Sequence, residues 1–162
     1  MHALTEAQIR ASFVNVSQRE RSGLAVPDLA SLDWDRVDHL GWRHPKSPLL
    51  GFVVVPLDDR LVGIALRQAE ARPRSRAQCS WCEDVTLPND VVFFSARRAG
   101  AAGRRGDTVG TLVCANFECS RNVRQPPPPA YLGFDIEAAR LARIESLRER
   151  TRAFAASFLV EG

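Results

Sequence analysis

At 162 residues, the chain is long enough for one ordinary domain or for two small lobes that share a core. Its 45% hydrophobic and 25% charged content is typical of a soluble globular protein and not of a disordered or membrane protein. No apolar run reaches the roughly 18 residues of a membrane-spanning helix, so we expect no membrane partner. The opening "MHALTEAQIR" lacks the basic and apolar regions of a secretory signal, which predicts a cytoplasmic protein with reduced thiols.

The net charge of +3 is distributed unevenly along the chain. Residues 72–124 carry nine basic and five acidic side chains, whereas the segments on either side are close to neutral. Nearly all the cations are arginines, and Lys46 is the only lysine. A field of this size suits an acidic protein surface or a few phosphates, and it is much weaker than that of a dedicated DNA-binding domain.

The first predicted element is a helix that begins near Thr5. The "TEAQ" sequence is a capping box in which Thr5 is the N-cap and Gln8 reaches back to it. Ile9, Phe13 and Val16 then form one apolar face. A second, short helix is predicted from Asp33, with Trp34 and Val37 turned inward, and "GWRHPKSP" is predicted to end it as irregular structure because it contains two prolines and a glycine.

The middle of the chain predicts strands. "LLGFVVVP" and "LVGIALR" read as two strands of an antiparallel hairpin, and the polar link "ARPRSRAQ" leads from them into the cysteine region. A turn at residues 88–90 precedes a strand that begins at Val91. The glycine-rich "AGAAGRRGDTVG" predicts a loop, and "TVGTLVC" predicts the strand after it.

The C-terminal part predicts helices separated by a proline run. "CSRNVRQ" indicates a short helix that stops at residues 126–129, "PPPP", a stiff polyproline spacer. A long helix is predicted over residues 137–160, with a buried stripe of Leu141, Ile144, Leu147, Phe154 and Phe158. The fold class is therefore α+β: antiparallel hairpins, flanking helices and a four-cysteine finger. We expect an N-terminal helix and hairpin lobe at residues 1–71, the finger at 72–130, and a C-terminal helix packed on the same domain at 131–162.

Four cysteines carry the main chemical signal: Cys79, Cys82, Cys114 and Cys119. A C-x2-C pair brings two sulfurs onto one tight turn, and the C-x4-C pair fits a strand end followed by the first turn of a helix. Turn, hairpin and helix-borne pair follow the order of a treble-clef zinc finger. Because four thiolates leave no open position for water, the spacing predicts one structural Zn²⁺ per chain. Disulfides, a redox pair, another metal or four unrelated core cysteines remain as alternatives.

The glycine-rich segment has three possible interpretations. It lacks the spacing of a nucleotide-binding loop, so a flexible turn is favoured over a phosphate site. A third interpretation is a basic, exposed tip, because Arg97, Arg98, Arg104 and Arg105 flank the glycines. Trp81 lies inside the C-x2-C turn, where an exposed side chain would add to such a partner-binding surface.

No catalytic group can be nominated from the sequence. The three histidines, His2, His39 and His44, are scattered among predicted turns, and no nucleophile or carboxylate pair accompanies them. We therefore expect a protein that is not an enzyme and has no small-molecule substrate.

The segment from "CSWC" through "SARRAGAAGRRGDTVGTLVCANFECSRNVR" resembles the C-terminal treble-clef module of the elongation factor G-binding proteins, the FBP family of fusidic-acid-resistance proteins. The similarity extends to "LTEAQIRASFVN", "LGWRHP" and the "VVVP…GIALR" hairpin, and so covers most of the chain. The resemblance implies a zinc-stabilised α/β domain in which Cys79, Cys82, Cys114 and Cys119 hold the metal. It also implies a module that binds elongation factor G and aids its release from the ribosome. The alternative is a zinc module that binds ribosomal or other RNA.

Overall fold

The computed structural model describes residues 1–71, 75 and 77–159. Its centre is one antiparallel sheet of five strands in the order β1-β2-β3-β4-β5, so each strand pairs with its neighbours in sequence. The strands are β1 (Leu40–His44), β2 (Ser47–Leu57), β3 (Arg60–Gln68), β4 (Val91–Arg97) and β5 (Thr108–Cys114). The helices are α1 (Glu6–Ser12), α2 (Gln18–Ser22), α3 (Gly100–Arg104), α4 (Cys119–Asn122) and α5 (Ile136–Ala156). This α+β architecture confirms the predicted fold class.

The first helix begins as its capping box predicts. The Gln8 amide donates to Thr5 Oγ1 at 3.2 Å, and the Thr5 amide donates to Gln8 Oε1 at 2.8 Å, so two amide groups at the start of α1 are satisfied reciprocally. The helix buries Ile9, and Phe13 follows it into the core. The Val14 amide then donates to the Gly63 carbonyl at 3.0 Å, which ties the end of this segment to β3.

The segment "GWRHPKSP" was expected to be irregular, and that expectation is wrong. Residues 40–44 form β1, and the β1–β2 connection lies at Pro45 and Lys46. Proline is compatible with this arrangement because one proline lies in the connection and Pro48 lies near the start of β2, where a missing amide donor costs little. The expected helix at Asp33 is only a single 3-10 turn over Trp34–Arg36.

Each face of the sheet has its own core. One face packs against α1 and the N-terminal segment through Ile9, Phe13, Trp42, Phe52 and Val54. The other packs against the cysteine region and α5 through Val53, Ile64, Phe94, Leu147 and their neighbours. Because β1–β3 and β4–β5 belong to one sheet, hydrogen bonding continues from the N-terminal hairpin into the cysteine region. The three-part division at residues 71/72 and 130/131 remains a prediction.

Two glycines let the cysteine region approach the sheet closely. A Cβ at Gly41 would lie 2.4 Å from Phe117 Cβ, and one at Gly51 would lie 2.7 Å from Phe117 Cζ. Phe117 has a positive φ of 60°, which is unusual for a non-glycine residue. Its ring stacks on Phe94 with centroids 5.1 Å apart. The ring therefore rests on the bare backbone of β1 and β2.

The long C-terminal helix covers the second face but ends earlier than predicted. It spans Ile136–Ala156, and the predicted final residue, 160, lies outside the described residues. Ile144, Leu147 and Phe158 are buried, and Phe154 is half-buried, although Phe158 lies in the turn after the helix. Leu141 is 54% exposed, so its predicted place in the stripe is wrong. The first turns of α5 therefore lie beyond the part of the helix that covers the sheet.

The polar link "ARPRSRAQ" lies largely outside the described residues, since residues 72–74 and 76 are among those not described. No helix in the described part of the chain combines the length and the hydropathy that crossing a membrane requires.

Candidate metal centre

The four cysteines reach one place because three kinds of local structure position them. Cys79 and Cys82 lie in a tight turn closed by the Glu83 amide, which donates to the Cys79 carbonyl at 2.9 Å. The Ser80 amide donates to the Leu112 carbonyl at 2.8 Å, and this bond ties the turn to β5. Cys114 is the last residue of β5, and Cys119 is the first residue of α4. Turn, β4–β5 hairpin and short helix appear in the predicted order.

The sulfur geometry fits a single tetrahedral metal ion. All four Sγ atoms lie within 4.8 Å of one another, and the Cys79–Cys119 and Cys82–Cys114 pairs are each 3.6 Å apart. Zinc–sulfur bonds of about 2.3 Å at tetrahedral angles place sulfurs about 3.8 Å apart, whereas a disulfide would need about 2.05 Å. The four cysteines are free thiols and all are buried. This donor set fits one structural Zn²⁺ with no open coordination position.

Amide groups surround the sulfurs and favour their charged form. Asn89 Nδ2 donates to Cys114 Sγ at 3.0 Å, and Asn122 Nδ2 donates to Cys114 Sγ at 3.4 Å and to Cys82 Sγ at 3.8 Å. The Trp81 and Cys82 amides donate to Cys79 Sγ at 3.4 and 3.5 Å. Hydrogen bonds to coordinating thiolates spread their negative charge, so these groups support a tetrathiolate site.

The thiols also influence one another. Hydrogen bonds within the cluster, that from Cys114 first, lower the pKa of Cys79 and bring the pKa of Cys82 to about 7. The same hydrogen bonds raise the pKa of Cys119, since a thiol that donates to another sulfur holds its proton more tightly. A metal ion that binds all four sulfurs must displace the tightly held protons, which couples metal binding to pH.

Trp81 is a core residue. It was expected to be exposed on the C-x2-C turn, but the side chain is only 2% exposed. Its ring packs against Phe154 at 5.3 Å and meets His39 edge-on at 5.1 Å between centroids. The turn is pressed between the sheet and α5, so its apolar side chain points inward. The expectation that Trp81 is exposed on this turn is therefore wrong.

A buried ion cluster ties this region to the rest of the chain. Nη1 and Nη2 of Arg124 both donate to the Asp38 carboxylate, and Arg148 Nε donates to Asp38 Oδ1 at 3.0 Å. The Asp38 amide donates to Ser120 Oγ at 3.0 Å. Burial raises the pKa of Asp38, but Arg124 and Arg148 outweigh it and hold that pKa below its ordinary value. One carboxylate thus joins the segment before β1 to α4 and α5.

The arginines of the β4–β5 connection separate into two groups. Arg97, Arg104 and Arg105 are exposed. Arg98 is half-buried, and its guanidinium donates to the Ser157 carbonyl while its amide donates to the Asp107 carbonyl. The connection itself was predicted as a flexible loop, but it contains α3, and this prediction is wrong. Gly103 makes the turn possible because a Cβ there would lie 1.9 Å from the Arg98 carbonyl oxygen.

Sequence reasoning missed several residues of this region. Asn89 and Asn122 carry no local signal that they donate to sulfur, and Asp38 meets Arg124 across 86 positions of sequence. Such contacts depend on tertiary packing alone. Helix α2 did have a signal: Ser17 and Glu20 in "SQRE" form a second capping box, with the Glu20 amide donating to Ser17 Oγ at 3.2 Å.

Comparisons with known proteins agree with this geometry. No curated protein matches the chain. Among solved structures, the fusidic acid resistance protein FusC is similar, with a TM-score of 0.56 and 20% sequence identity. The similarity covers 75% of this chain and 53% of the FusC chain, so this chain spans about half the length of that relative. At this identity the likeness concerns the fold. The sequence model of the FBP C-terminal treble-clef zinc-finger family matches residues 8–158, and the chain therefore belongs to this family of zinc-binding domains.

Proposed function

We propose that the chain is a non-enzymatic binding module of the translation machinery in the cytoplasm, that its partner is elongation factor G, and that it aids release of this factor from the ribosome. Membership of the FBP zinc-finger family and the fold shared with a fusidic acid resistance protein support this proposal. The zinc ion has a supporting role only, because four cysteines fill its coordination sphere and leave no position for a substrate.

The observation that carries the proposal is a basic surface at the end of the zinc-bearing hairpin. Arg97, Arg104 and Arg105 are exposed there, on a turn that α3 orders and that the Arg98–Ser157 hydrogen bond ties to the end of α5. Binding residues held on an ordered turn lose less conformational entropy on association than residues on a mobile loop. A cationic surface of this kind complements an acidic face on a protein partner and speeds the encounter.

The test is a binding measurement between purified elongation factor G and three forms of this protein. Wild type should bind saturably. The double variant Arg97→Glu, Arg104→Glu should bind at least about tenfold more weakly, because two attractive charges become repulsive. The matched control is Lys46→Glu in the β1–β2 connection, which changes a charge outside this surface and should bind like wild type. Equal zinc content in all three forms shows that the finger is intact.

Two outcomes would contradict the proposal. The first is an absence of saturable binding to the factor. The second is equal weakening by Lys46→Glu, which would indicate a general charge effect. An RNA-binding module would instead show affinity for ribosomal RNA that falls with salt, by about one unit of log–log slope for each phosphate contact.

A further inference from the structure

A groove lies between the segment before β1 and the zinc-bearing helix α4. Its volume is about 420 Å³, within the range of roughly 300–1,000 Å³ that is usual for ligand pockets. One wall comes from residues 32–41 and the other from residues 117–125. Four apolar side chains line it: Leu32, Val37, Leu40 and Phe117. The groove is thus built partly from the metal-bearing finger, and none of its lining residues belongs to the β4–β5 connection that carries Arg104 and Arg105.

The rim of the groove holds two arginine side chains that have no ion-pair partner among the described residues. Arg36 and Arg121 both line the groove and are exposed, and neither side chain forms an ion pair or a hydrogen bond with the described residues. Arg124 also lines it, but Asp38 already engages that guanidinium. Two carboxylates lie nearby. Glu118 accepts hydrogen bonds from the Asn116 amide and side chain, and Asp33 is exposed.

A buried polar side chain in the same wall also lacks a partner. His39 is only 3% exposed, and neither of its ring nitrogens has a hydrogen-bond partner among the described residues. A buried polar group without a hydrogen-bond partner destabilises the fold. His39 lines the groove, and the surrounding residues cover both of its ring nitrogens. A polar group in the groove would therefore reach the imidazole only after a small shift of this wall.

We propose that this groove binds a short peptide segment in which a carboxylate lies next to an apolar side chain. The apolar side chain would pack on Leu32 and Val37, which are half-buried, and the carboxylate would meet Arg36 and Arg121. The free carboxylate of Asp33 would accept amide hydrogens of the peptide backbone. A polyanion such as RNA fits less well, because the two acidic residues repel phosphates and the Phe117 ring, already stacked on Phe94 and 5% exposed, offers no face for a base.

This proposal does not depend on elongation factor G as a partner. The two arginines of the groove are different from Arg97, Arg104 and Arg105, so the two surfaces can fail separately. If the groove and the surface formed by Arg97, Arg104 and Arg105 contact the same partner, charge-removing substitutions in either surface will weaken that one complex.

The test uses zinc-loaded full-length protein and a panel of acetylated, amidated tetrapeptides. Each peptide contains one Asp or Glu next to one Leu, Val or Phe, in either order, and a matched panel replaces the acid by its amide. Binding is followed by chemical-shift changes of backbone amides at up to about 1 mM peptide, where an interaction of about 4 kcal/mol is detectable. At least one acidic peptide should shift amides of residues 32–41 and 117–125, and its amide counterpart should bind at least about tenfold more weakly.

Variants of the chain separate this site from others. The double variant Arg36→Gln, Arg121→Gln should reduce affinity at least about tenfold. Both side chains are exposed, so this variant should fold and keep its zinc. The matched control Arg104→Gln removes an exposed arginine outside the groove and should bind like wild type. Three results would overturn the proposal: no shifts with any peptide, equal binding of acidic and amide peptides, or equal affinity of the double variant and the control.

Discussion

At the scale of single residues, His39 shows how burial changes chemistry. The ring is enclosed by α4, Trp81 and the segment before β1, and desolvation lowers the pKa of His39 to about 4. The neighbouring Asp38 charge favours the protonated form but does not outweigh burial. The imidazole is therefore neutral at pH 7, and any proton that it gains must be taken up in an apolar surrounding.

This depressed pKa makes stability depend on pH in a defined window. An unfolded chain protonates His39 near pH 6.5, whereas the folded chain resists protonation until about pH 4. Unfolding therefore takes up a proton between these pH values. The contribution of neutral His39 to the free energy of unfolding is fully present above pH 6.5 and decreases as the pH is lowered. Between pH 7 and pH 5 the loss should be about 2 kcal/mol.

The variant His39→Phe should remove that contribution, because phenylalanine has no titrating group and keeps the ring contact with Trp81. Urea unfolding at pH 7 and pH 5 with zinc present measures it, as the difference between the two free energies of unfolding. His44→Asn is the matched control and should retain the wild-type difference. An unchanged difference in His39→Phe would show that this imidazole does not stay neutral in the folded state.

At the scale of elements, Asp38 connects three parts of the chain that the sequence keeps far apart. Its side chain is 1% exposed, and its partner Arg124 is 9% exposed, whereas Arg148 on α5 is 43% exposed. The Asp38–Arg124 pair is therefore the buried part of the cluster, and Arg148 contributes less because water screens it. Removal of one member of a buried pair leaves the other charge without compensation.

Asp38→Asn should therefore destabilise the fold by about 3 kcal/mol at pH 7. Because the folded-state pKa of Asp38 is lowered, its contribution is present above the ordinary carboxyl pKa and is lost as the pH falls through the folded value. Urea unfolding at pH 7 measures the change, and the exposed Asp35→Asn is the control, which should stay within about 0.5 kcal/mol of wild type. A similar result for both variants would mean that the Asp38–Arg124 pair adds no stability.

Elements with local signals could be predicted, and those that depend on distant contacts could not. The Thr5–Gln8 capping box places α1 correctly, and short runs of apolar and β-branched residues place β2, β3 and β5. Strand β1 was missed because Pro45 and Pro48 follow it closely in the sequence. The burial of Trp81 was missed because the sequence does not reveal that α5 covers the C-x2-C turn. The sulfur cluster was predictable since its spacing carries the geometry, whereas the donors Asn89 and Asn122 do not follow any spacing rule.

At the scale of the whole molecule, one sheet joins two hydrophobic cores, of which only one contains the cysteines. Strands β2 and β3 pair over eight register positions, and the core on their α1 side contains no cysteine. Strands β3 and β4 pair only at Arg67↔Ser95 and Gln68↔Phe94. The other core contains all four cysteines. The metal therefore supports β4, β5 and α4 directly, and it supports the N-terminal hairpin indirectly, through these two strand pairs and through the packing of Phe117 on Gly41 and Gly51.

Removal of zinc should accordingly affect the two halves differently. After chelation, backbone amides of β4, β5 and α4 should exchange hydrogen at least about tenfold faster, because metal binding and folding of the finger are coupled. Amides of β2 and β3 should retain more of their protection. Hydrogen exchange with mass spectrometry measures both, and Cys82→Ser should reproduce the chelated pattern without chelator, whereas Ser80→Ala in the same turn should not. A uniform loss of protection would show that the fold depends on the ion as a single unit.

The seat of Phe117 on Gly41 and Gly51 has one more consequence. Ring carbons there fill the volume that two methyl groups would otherwise occupy, so main-chain atoms, rather than adaptable side chains, set the spacing between finger and sheet. Main-chain spacing leaves little room for sliding or tilting. The four cysteine sulfurs, although none of them contacts β1 or β2 through a bond, are thereby held at a set distance from these strands, and the surface of the finger keeps the same orientation relative to the sheet.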